Sequence, residues 1–363
     1  MSESTSMAQR QDHDLGFLLR YENIAWFEKG LVRILDRRVY PTEIVFLECR
    51  TVDQVAEAIT GMVTQSGGPY TAAGMGMALA ASQVRGRGKD AQLHALRLAA
   101  DRLSTARPTT ESRMRQVTSA ALAAAEKALK QGESDVTQVL FNLAYDSLER
   151  RYERMSRVGI NLISLLPDRA SIMTNCFGET IVGTMIRAAQ ERGMELKLFT
   201  PETRPYFQGA RLTASVAAEM GADVTVITDN MPAEVFSRHQ VDLFTTAADA
   251  ITRDGYVVNK IGTLQIAIVA KYYGVPYFVT GIPDRVTLSE VTIEQRDPHF
   301  VLEARGVRNT RPEVKGYYPS FDITPPHLVS GVVTDTGILT PYNLDHYQPP
   351  GGQADDYYGG FDV

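Results

Sequence analysis

Asp249 closes an apolar run, Val241-Asp242-Leu243-Phe244-Thr245-Thr246-Ala247-Ala248, and the polar cluster Asn259-Lys260-Ile261-Gly262-Thr263 follows it. An acid at the exit of a buried strand can move a proton, and a lysine and an amide at a helix start can hold an anion. In open parallel sheets, ligands collect at the carboxyl ends of strands and at the helix N-termini beyond them. Four further segments carry residue types that cost stability unless a ligand uses them. Ser66-Gly67-Gly68-Pro69-Tyr70 is a glycine turn before a helix, whose N–H groups could cradle an anion. Ala106-Arg107-Pro108-Thr109 holds an arginine beside a proline break, and Asn175-Cys176-Phe177-Gly178-Glu179-Thr180 sets a cysteine between a strand and a helix. Glu202-Thr203-Arg204-Pro205-Tyr206-Phe207-Gln208-Gly209-Ala210-Arg211-Leu212-Thr213 is another strand-to-helix loop.

Each has a plainer reading. A lone cysteine at a strand end is usually a small buried hydrophobe, Asp249 could cap a helix or pair with a buried cation, and Arg107 could simply end a helix. Arg204 and Arg211 read as braces of their loop, paired with carboxylates such as Glu202, and Met75 and Met77 as tight helix packing. No G-x-G-x-x-G opens a strand-to-helix turn, and neither a G-x-x-x-x-G-K-[ST] loop nor a G-x-S-x-G elbow occurs. The six histidines form no i, i+4 pair and no cluster with cysteine. The expected chemistry therefore uses neither metal nor cofactor.

The elements that must position these residues are legible in the pattern. Apolar residues make up 44% of the 363 and charged residues 22%, the proportions of a globular protein with two ordinary domains. A net charge of -6 argues against a nucleic-acid or anionic-membrane surface, so any phosphate site must be local. Two cysteines, Cys49 and Cys176, make no disulfide framework; with a polar N-terminus and no membrane-length apolar run, a cytoplasmic protein is expected.

Residues 1–14 and 348–363 read as disordered tails. Between them, 15–160 is expected to hold a small antiparallel sheet and a helical domain, and 161–347 a Rossmann-like parallel α/β domain. In the first, Phe17-Leu18-Leu19, Leu31–Leu35 and Ile44–Leu47 read as strands, and 52–166 as a helical bundle with a capped start at Thr51. From 170 the period changes. Apolar runs at 171–174, 195–199, 223–227, 242–246 and 276–280 alternate with helical stretches at 180–192, 208–221 and 263–273, the mark of βαβ units.

In this order the motifs resemble the methylthioribose-1-phosphate isomerase family, whose relatives include ribose-1,5-bisphosphate isomerases and the regulatory subunits of the translation-initiation guanine-nucleotide exchange factor. Glu202–Thr213 and Asn259–Thr263 are long, specific matches. The likeness extends through Ile34-Leu35-Asp36 with Pro41, Thr292-Ile293-Glu294-Gln295-Arg296 and Phe321-Asp322-Ile323-Thr324-Pro325. It implies an isomerase of a phosphorylated pentose, commonly a homodimer, with Cys176 and Asp249 as the catalytic pair. Arg107, Gln208, Asn259 and Lys260, with the Gly67-Gly68 turn, would hold the sugar and its 1-phosphate. The exchange-factor subunits generally lack that pair, so the rival reading is a silent sugar-phosphate or nucleotide sensor.

Three positions depart from the family pattern. Ser66 stands where the glycine turn usually begins with arginine, Asn175-Cys176-Phe177-Gly178-Glu179 where His-Cys-Asn-Ala-Gly is usual, and Ala247 where a glycine precedes the Ala-Asp pair. All three line the expected site and bear on which pentose it takes. Phe177, Tyr70 and Tyr206 suggest an apolar neighbour at C5, such as methylthio or methyl. In the expected chemistry Asp249, desolvated by its strand, stays protonated and delivers a proton to the ring oxygen. Cys176, at a helix N-terminus, is expected to be a thiolate base at C2; a hydride shift from C2 to C1, with the cysteine only polarising the site, is the alternative.

Overall fold

The computed structural model describes residues 10–238, 241–293 and 295–350. Its first sheet is antiparallel, β1 (Ala25–Glu28), β2 (Leu31–Leu35) and β3 (Phe46–Cys49), in that order. Lys29 and Gly30, with φ of 49° and 76°, form the two-residue turn that joins the first two strands. Phe17–Leu19 is not a strand as expected but a 3₁₀ turn. Leu18 and Leu19 are both fully buried, and adjacent side chains of a strand would point to opposite faces. Leu19 instead nests against Gly183, where an added Cβ would lie 2.2 Å from its Cδ1.

Five helices follow: α1 (Val52–Thr60), α2 (Gly68–Val84), α3 (Lys89–Ser104), α4 (Glu111–Lys130) and α5 (Thr137–Ile163). Thr51 caps α1 as expected, and the cap is reciprocal: its hydroxyl accepts from the Gln54 amide while the Gln54 side chain accepts from the Thr51 amide. α2 is buried along nearly its whole length and forms the axis of the bundle, with Met75 and Met77 fully enclosed.

The second half alternates strand and helix as the period predicts. β4 (Arg169–Met173), α6 (Glu179–Glu191), β5 (Glu195–Pro201), α7 (Ala214–Glu219), β6 (Asp223–Ile227), α8 (Pro232–Ser237) and β7 (Leu243–Thr246) come first. Then follow β8 (Ala250–Ile251), β9 (Val257–Lys260), α9 (Thr263–Tyr272), β10 (Tyr277–Thr280), α10 (His299–Leu302), β11 (Glu303–Ala304) and β12 (Val307–Arg308). β13 (Phe321–Thr324), β14 (Gly331–Thr334) and β15 (Gly337–Leu339) complete the chain. The main sheet runs β15-β14-β10-β7-β4-β5-β6, parallel except for the edge strand β15. The chain builds outward from β4 to β6 and then returns to β4's other side with β7. The gap between β4 and β7 is therefore the switch point at which open parallel sheets bind ligands. β8, β9 and β13 form a separate antiparallel sheet beside it, so Asn259 and Lys260 end a strand and α9 begins only at Thr263.

Residues 1–9, 351–363 and Glu294 lie outside the described residues, whereas Arg10 pairs with Asp12 and Glu22, and Asp12 is buried. Among the described residues no helix is long and apolar enough to cross a membrane.

Helical layer and sheet meet at an enclosed ion pair. Arg37, just beyond β2, donates to Glu179 Oε1 at the start of α6 (2.7 Å) and to the Gln65 carbonyl (2.6 Å), and neither side chain reaches solvent. Removing one partner strands the other charge, a loss of about 3–5 kcal/mol. Arg37→Met is expected to lower unfolding stability by about that much, read as a shift of the urea midpoint; an unchanged midpoint would mean that the seam does not rest on this pair.

Candidate active site

A cavity of about 120 Å³ opens where the glycine turn, α4, the switch point and β9 converge. One water occupies ~10–15 Å³ on this scale, so a small polar ligand fits. Cys176, Asp249, Gly67, Arg107, Gln208, Asn259 and Lys260 all line it. Gly68 is the one expected site residue that does not; it faces Thr64, whose hydroxyl would lie 1.9 Å from an added Cβ.

The backbone around the site is held in unusual conformations. Ser66, Cys176 and Thr203 have φ of 58°, 64° and 63°, in the left-handed region that costs a side-chain-bearing residue free energy. Local hydrogen bonds hold them there. The Cys176 amide donates to the Thr203 hydroxyl (3.1 Å), and the Thr213 hydroxyl donates to the Cys176 carbonyl (2.6 Å). Gly209 lies so close to Pro201 that a Cβ would come within 1.8 Å of its carbonyl oxygen. Most of the long Glu202–Thr213 motif is thus a cradle for Cys176, and within it only Gln208 faces the cavity. Thr263 does the same for the other half: its hydroxyl receives Asn175 (2.9 Å) and Asn259 (3.0 Å) and donates to the Lys260 carbonyl (2.8 Å).

Arg204 and Arg211 brace their loop as expected, but through carbonyls and not carboxylates. Arg204 reaches the Glu303 carbonyl (2.6 Å), and Arg211 those of Tyr40 (2.8 Å) and Arg37 (2.6 Å). Tyr206 packs at tilted angles against Phe300 and Tyr318 outside the cavity, whereas Phe177 and Tyr70 line it.

The electrostatics correct one expectation. Burial pushes the Cys176 thiol up to about 11; Lys260 pulls it back only in part, and Asp249 adds to the rise. Burial outweighs the lowering pull of Lys260, Arg107 and the Phe177 amide, so the thiol stands above its ordinary value where a lowered one was expected. Burial lowers Lys260 to about 8, against the pull of Cys176 and Asp249. Its ammonium lies 4.7 Å from the centre of the Phe321 ring, within cation–π range.

Two charged residues of the cavity, Arg113 and Arg151, escaped the sequence reading. Arg151 of α5 donates to the Gly67 carbonyl (3.2 Å) and the Thr71 hydroxyl (2.9 Å), placing a guanidinium at the glycine turn. It interrupts the apolar stripe Leu148-Tyr152-Met155, which was the available signal. Arg113 sits in the first turn of α4, where a cation opposes the helix dipole, a second missed signal. Glu179, quoted with the Cys176 segment, lines the cavity as expected of that segment.

The sequence of residues 70–341 matches the initiation factor 2 subunit family, and the chain belongs to that family. It is 34% identical over 335 residues to the methylthioribose-1-phosphate isomerase of Carboxydothermus hydrogenoformans, a match covering 88% of this chain and 96% of that protein. Among solved structures it resembles 5-methylthioribose 1-phosphate isomerase from Pyrococcus horikoshii (TM-score 0.73, 28% identity, 89% of this chain and 95% of that one). It also resembles the delta subunit of translation initiation factor eIF-2B from A. fulgidus (TM-score 0.72, 31% identity, 88% and 96%).

Lys260 loses its charge as pH rises through about 8. Sulfate, a dianion throughout this range, should therefore bind more weakly at pH 9 than at pH 7. In Lys260→Arg, whose charge persists, that step should vanish. Calorimetric titration at the two pH values checks this, and an equal pH step in both proteins would take Lys260 out of the anion site.

Proposed function

We propose that the protein is an aldose-ketose isomerase that converts a 5-substituted ribose 1-phosphate, of the 5-methylthio or 5-deoxy type, into the corresponding ribulose 1-phosphate. The observation that carries this reading is the meeting of Cys176 and Asp249 at the β4–β7 switch point, in one cavity with Arg107 and Lys260. The names of the relatives support the same class. The sheet serves as a Rossmann-like frame; numbered in order of appearance, its parallel strands run 3-2-1-4-5-6.

The cavity's lining favours an apolar C5 substituent over a second phosphate. Phe177 and Tyr70 stand in its wall beside the polar groups. A C5 phosphate would bring a second charge of roughly −1.5 to −2 into a cavity that the Glu179 carboxylate also lines.

A sugar 1-phosphate cannot open as a free hemiacetal, because its anomeric oxygen carries the phosphoryl group. Asp249 gives its proton to the ring oxygen, and the bond from that oxygen to C1 breaks. Hydrogen then passes with its electron pair from C2 to C1, and the Asp249 carboxylate takes the proton of the C2 hydroxyl as the ketone forms. The acid is thereby restored and all atoms balance. A neutral Cys176 supports this hydride route over deprotonation at C2, with the thiol packing against the migrating hydrogen and keeping water away. Arg107, Gln208, Asn259 and Lys260 hold the phosphate by charge and hydrogen bonds.

Turnover is expected with 5-methylthioribose 1-phosphate or 5-deoxyribose 1-phosphate, and far less with ribose 1,5-bisphosphate. Cys176→Ala and Asp249→Asn should each lower kcat by orders of magnitude with the fold retained, and near-normal turnover in either would remove that residue from the mechanism. If all three substrates bind and none turns over, the protein is a sensor of the same fold.

The hydride route has its own readout. Substrate deuterated at C2 should carry the label to C1 of the product in ordinary water; release of the label to solvent would instead require a base at C2.

A further inference from the structure

Arg113 and Asp284 join α4 to the loop after β10 by two parallel hydrogen bonds, Nε to Oδ1 (2.9 Å) and Nη2 to Oδ2 (2.6 Å). This fork geometry resists rotation better than a single contact would. Asp284 is itself zipped onto Ile251, accepting from its amide at Oδ2 (2.9 Å) and donating its own amide to the Ile251 carbonyl (2.8 Å). Ile251 is two residues beyond Asp249, whose amide in turn donates to Val258 of β9 (2.9 Å). The segment bearing Asp249 is thus pinned on one side by β9 and on the other by Asp284. Arg113 ties that second pin to the helical layer. Its guanidinium is also hydrogen-bonded to Tyr70, a buried residue of the cavity wall that stands close enough to Asp249 and Arg107 to feel both charges.

We propose that Arg113 is a positioning residue for Asp249, acting through the Arg113–Asp284–Ile251 clasp to hold the carboxyl at the substrate's ring oxygen while Tyr70 walls its other side. Cys176, Lys260 and Tyr70 each lie close enough to that carboxyl to interact with it, Arg107 lines the same cavity, and Arg113 is linked towards it through Tyr70 and Asp284. The proposal rests on the reading of Asp249 as the acid. It explains why an arginine is kept at a helix N-terminus, where the dipole disfavours it, and why it is matched to a carboxylate from the opposite layer.

The test is steady-state kinetics with the sugar 1-phosphate that the wild type turns over. Arg113→Met is expected to lower kcat about 10- to 100-fold while KM changes less than about threefold, because a roughly ångström-scale displacement of a catalytic group acts on the chemical step. Asp284→Asn should do the same, and the double variant should be no worse than either single, since both remove one clasp. Arg113→Lys, which keeps the charge but not the fork, should recover only part of the loss.

A kcat within twofold of wild type in Arg113→Met, or equal losses in kcat and 1/KM that follow a fall in melting temperature, would overturn the proposal. If the wild type turns over no sugar phosphate, the isomerase reading fails and the clasp is judged separately by amide hydrogen exchange. Lost protection at the Ile251 amide in Arg113→Met would support the clasp, and unchanged protection would sink it.

Discussion

The enclosed ion pair between Arg37 and Glu179 is the constraint on which the rest of the site depends. Two charges with no access to water are tolerated only where their partners are fixed, and here those partners are the parts that must meet. Arg37 takes the Gln65 carbonyl at the glycine turn, and its own carbonyl receives Arg211 from the long motif. The Glu179 amide donates to Ser66 (3.1 Å). One pair therefore sets the distance between the turn, α6 and the loop that carries Gln208. Gly67 is a glycine for the same reason, since a Cβ there would stand 3.1 Å from Glu179 Oε2.

Much of this was legible in the sequence, and the failures have physical causes. The change of period near residue 170 located the strands of the main sheet from β4 to β10 and the helices between them except the short α8, because strands covered on both faces read as short continuous apolar runs. The same logic failed for Phe17–Leu19, where consecutive burial means a tight turn nested on a glycine. It also missed β1, which mixes Trp26 and Phe27 with a charged end. Asp249 and Cys176 stood out as polar residues at strand exits, whereas Arg107, Gln208, Asn259 and Lys260 were expected at the site from the family resemblance, and all six line the cavity. Arg113 and Arg151 were passed over because each lies inside a helix, where a charged side chain is ordinarily assigned to solvent.

The chemistry of the cysteine could not be read from its position in the chain. A helix N-terminus lowers a thiol's pKa only when burial does not outweigh it. At Cys176 burial wins, a balance decided by Lys260, Asp249 and the depth of the cradle together. The strained backbone belongs to the same account. Thr203 and Thr213 hold Cys176 in a conformation that it would not adopt alone, so a motif that looks like a ligand-binding loop spends most of its residues on orienting one sulfur.

The nesting of Leu18, Leu19 and Tyr21 among residues such as Ile181, Met185 and Val216 has a consequence for how the chain is made. These early leucines leave the ribosome roughly 200 residues before the surface that covers them. At the usual ~5–20 residues per second they stay uncovered for about 10–40 s. The helical layer can assemble meanwhile, but its leading edge stays sticky until the sheet arrives. Synthesis rate, and the chaperones that shield such stretches, thus belong to the conditions under which this active site can be completed.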